Sequence, residues 1–280
     1  MTADMDKYCV MGNPVEHSKS PWIHARFAQL TGQPLAYGKQ LVALDGFGAG
    51  LRAFRAAGGR GCNITVPFKF EAAPLATTLT PRARLAQACN TLRFDGERDI
   101  FADNTDGIGL VDDLQGNAGV ALAGRDLLLI GAGGAAAGVL GPLIEAKPAR
   151  VVVTNRTPGK AMALVERHAA LAKLHGVALS AIALDAGPGK FDILVNATAS
   201  SLSGGGVPVP ANVLKPGALA VDMMYGPAAD GFMAWAREHG AVPRDGLGML
   251  VEQAAEAFLV FRGVRPPSAQ VLAELRATLA

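Results

Sequence analysis

A lysine directly behind a predicted strand is the first residue whose position suggests acid–base chemistry. The stretch "NITVPFK" runs from Asn63 to Lys69, and its apolar residues predict a strand over residues 62–66 that Pro67 ends. By itself, Lys69 is more often a surface charge than a group in a cleft. Asn63 and Thr65 alternate on one face of the predicted strand, as side chains that face a ligand do. This alternation favours a position of Lys69 in a cleft.

A carboxylate and an amide farther along the chain are candidates to work with this lysine. Asp106 lies in "NTDG", and by itself an Asp-Gly pair is more often a turn or a helix cap. Gln253, in "GLGMLVEQAA", lies on an amphipathic helix, where a solvated polar residue is the default. The histidines show no metal-ligand spacing, so we predict no metal site.

Two serines flank a lysine in "GNPVEHSKSP", residues 12–21. Pro21 suits the first position of a helix predicted over residues 21–30, with Ser20 as its N-cap. The hydroxyls of Ser18 and Ser20, together with the N–H groups of the helix N-terminus, also make a site for a carboxylate. The residues alone leave both interpretations open.

The glycine-rich stretch "LLLIGAGGAAAG" predicts a dinucleotide-binding turn. The apolar run 127–130 supplies a strand, Gly131 allows a tight turn, and Gly133 lets the backbone approach a pyrophosphate. Ala136 stands at the third position of the motif, where a small residue permits close packing of helix and strand. The following helix directs its N–H groups at the phosphates, so the motif has both of the elements that it requires.

The residues after the next predicted strand indicate which dinucleotide binds. A carboxylate there is typical of NAD, whereas an arginine suits the 2′-phosphate of NADP. Here "VVVT" is followed by Asn155, Arg156 and Thr157, with Lys160 nearby and no carboxylate among them. Arg156 offers a planar, permanently charged fork for a phosphate. The sequence therefore predicts NADP.

Predicted strands and helices alternate along the chain in two blocks. The glycine-rich stretch "QGNAGVALAGRD" separates the blocks, and a domain boundary is placed just before it. Continuous apolar runs in the second block are typical of parallel strands covered on both faces. Two C-terminal helices, over 249–262 and 267–279, have no strand partner nearby and are expected to pack on the first block. The first block's strands are predicted over 8–11, 40–44 and 62–66, and its helices over 21–30 and 47–57.

Composition argues against several classes of function. The 280 residues are 50% hydrophobic with a formal net charge of +2, so no nucleic-acid or membrane surface is expected. No apolar stretch reaches the length of a membrane span, and the N-terminus lacks the regions of a signal peptide. Cys9, Cys62 and Cys89 are far apart, which is typical of buried thiols in a reducing cytoplasm.

Together these residues resemble one family closely, shikimate dehydrogenase, over nearly the whole chain. The pair "NITVPFK" and "DNTDG" is the most specific, because generic Rossmann proteins have neither. The sequence departs from the family where Ala199 replaces a frequent serine and Lys160 a common arginine. The family's signatures occur in family order as "GNPVEHSKSP", "GGRGCNITVPFK", "ACNTL", "DNTDG", "LIGAGGAAAG", "TNRT", "VNAT", "DMMY" and "DGLGMLVEQAA".

The resemblance implies a role for each matching residue. Lys69 and Asp106 would form the catalytic pair, in which Lys69 donates a proton to the carbonyl oxygen and accepts it in the reverse direction. The substrate carboxylate would be bound by Ser18, Ser20 and Tyr225. The ring hydroxyls would be held by Asn63, Thr65, Asn90, Asp106 and Gln253. NADP would be bound by Gly131, Ala132, Gly133, Gly134, Ala135, Asn155, Arg156, Thr157, Lys160, Thr198 and Gly246.

The resemblance also implies an α/β fold of two domains and a reaction. Residues 1–107 would form the substrate-binding and catalytic domain, and 108–246 a Rossmann-type, doubly wound NADP-binding domain. Residues 247–280 would be helices that return to the substrate domain. The reaction would be the reversible NADPH-dependent reduction of 3-dehydroshikimate to shikimate, in chorismate and aromatic amino acid biosynthesis. The enzyme would be a cytoplasmic monomer or homodimer that binds small molecules alone.

Two alternatives stay open at this point. The alternatives to NADP-dependent shikimate dehydrogenase are a quinate/shikimate dehydrogenase with relaxed substrate or NAD use, and a non-catalytic dinucleotide-binding sensor on the same fold. Intact Lys69, Asp106 and Gln253 argue against the sensor, because a sensor needs no proton donor.

Overall fold

The computed structural model describes residues 5–184, 189–198 and 206–279, and Ala199 lies outside them. The chain forms two compact units, each built around a six-stranded sheet. The first unit runs to Gly109 and resumes at Val251, and the second covers Leu110–Leu250. Across these described ranges, no helix is long and apolar enough to cross a membrane.

The elements follow one another in chain order, and two helices carry the chain from one unit to the other. Those of the first unit begin with β1 Asp6–Gly12, α1 Ser20–Thr31, β2 Leu35–Leu41, α2 Phe47–Ala56, β3 Gly59–Ile64, α3 Lys69–Ala72, β4 Thr78–Leu79, α4 Pro81–Ala86, β5 Thr91–Asp95 and β6 Asp99–Asp103. The chain then enters the second unit through α5 Asp106–Asp112. That unit contains β7 Asp126–Ile130, α6 Gly134–Glu145, β8 Arg150–Thr154, α7 Pro158–His175, β9 Ala178–Ile182, β10 Phe191–Asn196, β11 Leu214–Asp222, α8 Asp230–Glu238 and β12 Val242–Arg244. The chain returns through α9 Leu247–Arg262 and ends in α10 Ser268–Leu279.

The first sheet has the strand order β2-β1-β3-β5-β6-β4. Strand β1 pairs in parallel with β2 and β3, whereas β5 runs antiparallel to both β3 and β6. Asn63 on β3 is therefore opposite Thr91 on β5, and Thr91 is opposite Asp103 on β6. The ends of β1, β3 and β6 and the start of β5 consequently meet at one edge of the sheet. Helix α10 packs on α1, which confirms that the C-terminal helices return to the first unit.

Three local predictions for this unit are wrong. Strand β2 lies over Leu35–Leu41, not 40–44, because it pairs with the whole of β1. Strand β3 ends at Ile64, because the Phe68 N–H donates to the Thr65 carbonyl and closes a turn. Ser20 is not an N-cap: it is the first residue of α1, and its own N–H donates to Ser18 Oγ at 3.3 Å.

The second sheet is parallel throughout, in the order β12-β11-β10-β7-β8-β9. Counted from β7, this is the 3-2-1-4-5-6 order of the Rossmann fold, as predicted. Its central strands are buried apolar runs, including Leu127–Ile130 and Val151–Val153. The order reverses between β7 and β10, and ligands of such sheets bind beyond the carboxyl ends of the strands at that point.

Candidate active site

A buried ion pair marks the polar edge of the first sheet. Lys69 Nζ donates to Asp106 Oδ2 at 2.5 Å, and the side chains are only 14% and 6% exposed. Within the described ranges, Lys69 Nζ has no second hydrogen-bond partner, so its other N–H groups are available to a ligand. The pair therefore combines a transferable proton with a carboxylate that orients it.

Lys69 is held by the turn that follows β3. It is the first residue of α3, and its carbonyl accepts the Cys89 N–H at 2.9 Å. The preceding Phe68 is fully buried and stacks on Phe47 with ring centroids 5.0 Å apart. Because burying an aromatic ring stabilises its backbone position, Phe68 anchors the turn. Burial also raises the pKa of the Cys89 thiol to about 12, so this neighbour stays uncharged.

Asp106 is held in place by two buried residues that precede it in the chain, Asp103 and Asn104. Asn104 Oδ1 accepts the Asp106 N–H at 3.2 Å and so caps α5, while Asn104 Nδ2 donates to the Ala88 carbonyl. Asp103 accepts the Asn104 N–H and a bidentate pair from Arg82 at 2.7 and 2.5 Å. Burial alone would lower the pKa of Arg82, but its bonds to Asp103 and Glu256 together outweigh burial and raise it. Asp106 is thus the first helical residue and not the cap.

The remaining carboxylate oxygen of Asp106 belongs to an amide cluster. Asn90 Nδ2 lies 2.9 Å from both Asp106 Oδ1 and Thr105 Oγ1 and 3.2 Å from Gln253 Oε1, so its two hydrogens are shared among three acceptors. Gln253 is therefore not the solvated residue that its helix would predict by default. Thr105 was not among the predicted residues, although it directly precedes Asp106 in "NTDG". The structure thus brings together Lys69, Asp106, Asn90 and Gln253, and adds Thr105.

Asn63 lies on strand β3, whereas Thr65 follows the end of that strand. Asn63 is 7% exposed, and its Nδ2 donates to the Asn90 carbonyl and to Thr91 Oγ1, at 3.1 and 3.0 Å. Thr65 lies beyond the strand and is partly exposed. A Cβ on Gly12 would lie 2.3 Å from the Thr65 methyl carbon, so this close contact requires glycine at the end of β1. Their predicted alternation along one strand is therefore wrong.

Ser18 and Ser20 lie at the start of α1, beyond the same edge of the sheet. Ser18 is partly exposed and Ser20 is buried. Lys19, the N-cap residue of α1, provides no side-chain cap, and the positive end of the helix dipole lies beside the two hydroxyls. Tyr225 belongs to the second unit, where it follows β11.

The turn after β7 in the second unit has the shape that a pyrophosphate needs. Gly131 has φ of +116°, and a Cβ there would lie 3.0 Å from the Ala197 carbonyl oxygen. A Cβ on Gly133 would instead meet no atom within 4 Å, so its backbone faces open space. Helix α6 starts at Gly134 without a side-chain cap. The turn and the first N–H groups of α6 therefore fit a dinucleotide phosphate.

The other cofactor candidates lie after neighbouring strands of the same sheet. Arg156 and Lys160 are exposed, and neither side chain has a polar partner in the part of the chain that the structure describes. Asn155 Nδ2 donates to the Thr157 carbonyl and shapes this turn. Thr198 follows β10 and donates from its Oγ1 to Asn196. The other candidates, Ala132, Ala135 and Gly246, flank the glycine turn or follow β12.

Gly246 is a position where the fold allows no side chain. A Cβ there would lie 2.3 Å from the Met223 carbonyl oxygen, and the Gly246 N–H donates to the Met224 carbonyl at 2.8 Å. This close approach joins the segment after β12 to the segment after β11. Among the described residues, no group of His, Cys, Asp and Glu side chains is arranged to hold a metal ion.

Family models match three parts of the chain. Residues 10–92 match the shikimate dehydrogenase substrate binding domain, and residues 114–203 match shikimate / quinate 5-dehydrogenase. Residues 246–276 match the shikimate 5′-dehydrogenase C-terminal domain. The matched segments include strands of both sheets and the returning helix α9, and they leave out strands β6, β11 and β12.

Known proteins are similar to this chain over its full length. The shikimate dehydrogenase (NADP(+)) of Acidovorax sp. (strain JS42) is 67% identical over 280 residues, which cover 100% of this chain and 99% of that protein. Shikimate 5-dehydrogenase of Thermus thermophilus, solved in complex with NADP(H) and shikimate, is 32% identical with a TM-score of 0.85, covering 98% of this chain and 100% of that one. An Ael1 enzyme from Pseudomonas putida is 45% identical with a TM-score of 0.85, covering 96% and 98%. The chain therefore belongs to the shikimate dehydrogenase family.

Proposed function

We propose that this chain catalyses the reversible NADPH-dependent reduction of 3-dehydroshikimate to shikimate. The observation that carries the proposal is the Lys69–Asp106 pair at 2.5 Å, at the polar edge of the first sheet. Full-length similarity to an NADP-dependent shikimate dehydrogenase supports the choice of substrate and cofactor. The product belongs to chorismate and aromatic amino acid biosynthesis.

The protein's part in the reaction is to donate one proton and, in the reverse direction, to accept it. When bound, NADPH supplies the hydride that the carbonyl carbon accepts. As negative charge develops on the carbonyl oxygen, Lys69 Nζ transfers a proton to it and becomes a neutral amine, which water then reprotonates. In the reverse direction the neutral Lys69 accepts the alcohol proton. Asp106 orients the ammonium through Oδ2 and stabilises its positive charge.

We assign the substrate's polar groups to the residues around this pair. The ring hydroxyls would be held by Asn63, Thr65, Asn90, Asp106 and Gln253. The carboxylate would be bound by Ser18 and Ser20, with Tyr225 as a further ligand. A buried site that bonds hydroxyls discriminates against analogues without them, because its own polar groups would then be unpaired. The first unit would thus bind substrate, and its amide cluster would set the orientation of the ring.

We assign the cofactor to the second unit. Gly131, Gly133 and the N-terminus of α6 would bind the pyrophosphate, and Arg156 with Lys160 the 2′-phosphate. The open space at Gly133 and the two exposed cations support this assignment. Gly246 and Thr198 would lie near the nicotinamide.

A steady-state assay tests the function. NADPH absorbance should fall when purified chain and 3-dehydroshikimate are mixed, and NADP⁺ should be reduced when shikimate is supplied. Quinate and NADH are the comparison substrates, and kcat/KM should favour shikimate and NADPH. NADPH binding without turnover would reject the enzyme in favour of the sensor, and equal use of quinate would assign the broader activity.

We further propose a cytoplasmic monomer or homodimer. Cys9, Cys62 and Cys89 are all unpaired and buried, as suits a reducing compartment. Light scattering of the purified chain would distinguish the two assembly states, and fractionation of expressing cells would test the location.

A further inference from the structure

A chain of buried hydrogen bonds leads from the middle of β2 to the carboxylate that holds Lys69. It begins at the Tyr37 hydroxyl, which lies 2.7 Å from Asn63 Oδ1. Asn63 Nδ2 lies 3.0 Å from Thr91 Oγ1, which lies 2.9 Å from Asn90 Oδ1. Asn90 Nδ2 then reaches Asp106 Oδ1 at 2.9 Å.

The direction of this chain is fixed at its Asn90 end. The Thr105 backbone N–H, which can only donate, points at Asn90 Oδ1 at 2.8 Å. Asn90 Oδ1 is therefore an acceptor, and the amide nitrogen must face Asp106. The Thr91 hydroxyl, bonded to the same oxygen, must donate to it as well.

The remaining directions follow in turn. Because the Thr91 hydroxyl donates its proton to Asn90, Thr91 Oγ1 can only accept from Asn63. The Asn63 atom that faces Thr91 Oγ1 must therefore be Nδ2. The same Nδ2 donates to the Asn90 carbonyl at 3.1 Å, so both of its hydrogens are used. Asn63 Oδ1 then accepts, and the Tyr37 hydroxyl donates. Burial raises the pKa of Tyr37 well above its usual value, which keeps this hydroxyl protonated.

The tyrosine itself is clamped in place. His24 stacks on its ring with centroids 4.2 Å apart and planes 4° from parallel. Neither nitrogen of the fully buried His24 has a hydrogen-bond partner among the residues that the structure describes. This ring therefore holds Tyr37 by packing alone.

We propose that Tyr37, Asn63 and Thr91 are positioning residues, which form a one-directional chain of donors ending on Asp106. Asp106 Oδ1 accepts an N–H group of this chain, while Oδ2 accepts from Lys69 Nζ. The chain thereby fixes the orientation of the carboxylate that holds Lys69. This inference rests on the proposed function of Lys69.

Thr91 offers the sharpest test, because it is fully buried and cannot touch a substrate. Thr91→Val keeps the shape and removes the hydroxyl, whereas Thr91→Ser keeps the hydroxyl and removes a methyl group. We expect Thr91→Val to lower kcat roughly tenfold, with KM for 3-dehydroshikimate within about twofold of the parent. With NADPH deuterated at the transferred position, its isotope effect on kcat should also increase. Thr91→Ser should keep kcat within about twofold of the parent, because it retains the donor.

The far end of the chain supplies a second pair of variants, in case Thr91→Val does not fold. Tyr37→Phe should lower kcat without a matching rise in KM. Tyr8→Phe is the control, because Tyr8 is a buried tyrosine on the neighbouring strand whose hydroxyl contacts Arg262 and not this chain. Tyr8→Phe should leave kcat unchanged.

Hydrogen exchange of side-chain amides provides a readout that needs no activity. In the parent and Thr91→Ser, the Asn63 and Asn90 NH₂ signals should exchange slowly, and Thr91→Val should lose that protection. Equal protection and equal kcat in the two Thr91 variants would overturn the proposal. If the parent showed no turnover, the proposed function would fail, while loss of protection in Thr91→Val alone would still support the chain.

Discussion

Replacing Lys69 by Met, alone and together with Asp106→Asn, separates its chemical role from its structural one. Lys69→Met removes the proton and keeps the apolar stem. Positioned acid–base groups contribute roughly 10²- to 10⁴-fold to a rate. We therefore expect kcat to fall at least about a hundredfold, equivalent to about 2.7 kcal/mol in the barrier, while KM changes much less.

The same substitution leaves a buried carboxylate without its cation. Asp106 is 6% exposed and would lose its 2.5 Å ion pair, while it keeps the bond from Asn90. Removing one partner of a fully buried pair costs about 3–5 kcal/mol. Because Lys69 is 14% exposed and Asn90 still donates, we expect a loss of roughly 1–3 kcal/mol in unfolding free energy.

The double variant Lys69→Met/Asp106→Asn should regain most of that stability, since the amide carries no charge, but none of the rate. Urea unfolding measures the first quantity and NADPH oxidation the second. A single variant with kcat within about tenfold of the parent would refute the acid–base role. A double variant that regained activity would show that Lys69→Met had lowered the rate through the unpaired charge of Asp106.

The other predictions concern the cofactor, the acid sensitivity of the fold and the glycine turn. Arg156→Ala should raise KM for NADPH roughly tenfold or more, because a charge-assisted bond to phosphate is lost, and leave KM for NADH unchanged; equal changes for both would exclude a 2′-phosphate contact. Burial lowers the pKa of His24 to about 3 and that of His168 to about 4, so both histidines are neutral in the folded state. Their stabilising contribution is complete above about pH 6.5, where unfolded histidine is also neutral, and is lost as the pH falls below that value. At about pH 5 each costs about 2 kcal/mol, and urea unfolding from about pH 7 to 5 should show this slope, reduced in His24→Phe. Gly131→Ala, at φ of +116°, should cost about 1–2 kcal/mol and weaken NADPH binding, whereas Gly116→Ala, with open space at its Cβ, should do neither.

Sequence patterns predicted the second unit more completely than the first. Its buried parallel strands are continuous apolar runs such as Leu127–Ile130, and the glycine turn directly follows one of them. A motif of this kind is local, because strand, turn and helix are adjacent in the chain. Its cofactor preference also depends on one neighbouring strand, which ends beside Arg156.

The first unit depends on pairing between distant segments, which a local pattern does not contain. The β5–β6 hairpin was not predicted, although "TLRFDGERDIF" has alternating apolar residues around an Asp-Gly pair. This hairpin brings Asn90 and Asp106 to the end of β3. The predicted alternation of Asn63 and Thr65 failed for a related reason, since a turn closed by Phe68 ends the strand between them.

The amide cluster also shows why a polar residue near a catalytic lysine need not touch the substrate. A buried amide must satisfy both of its hydrogens and its oxygen, so a hydrogen that it donates within the protein is unavailable to a ligand. Asn63 uses both hydrogens on Asn90 and Thr91, whereas Lys69 has N–H groups that no described residue accepts. Lys69 therefore retains the donors that the proposed proton transfer needs, and Asn63 supports Asn90 in the proposed chain of hydrogen bonds.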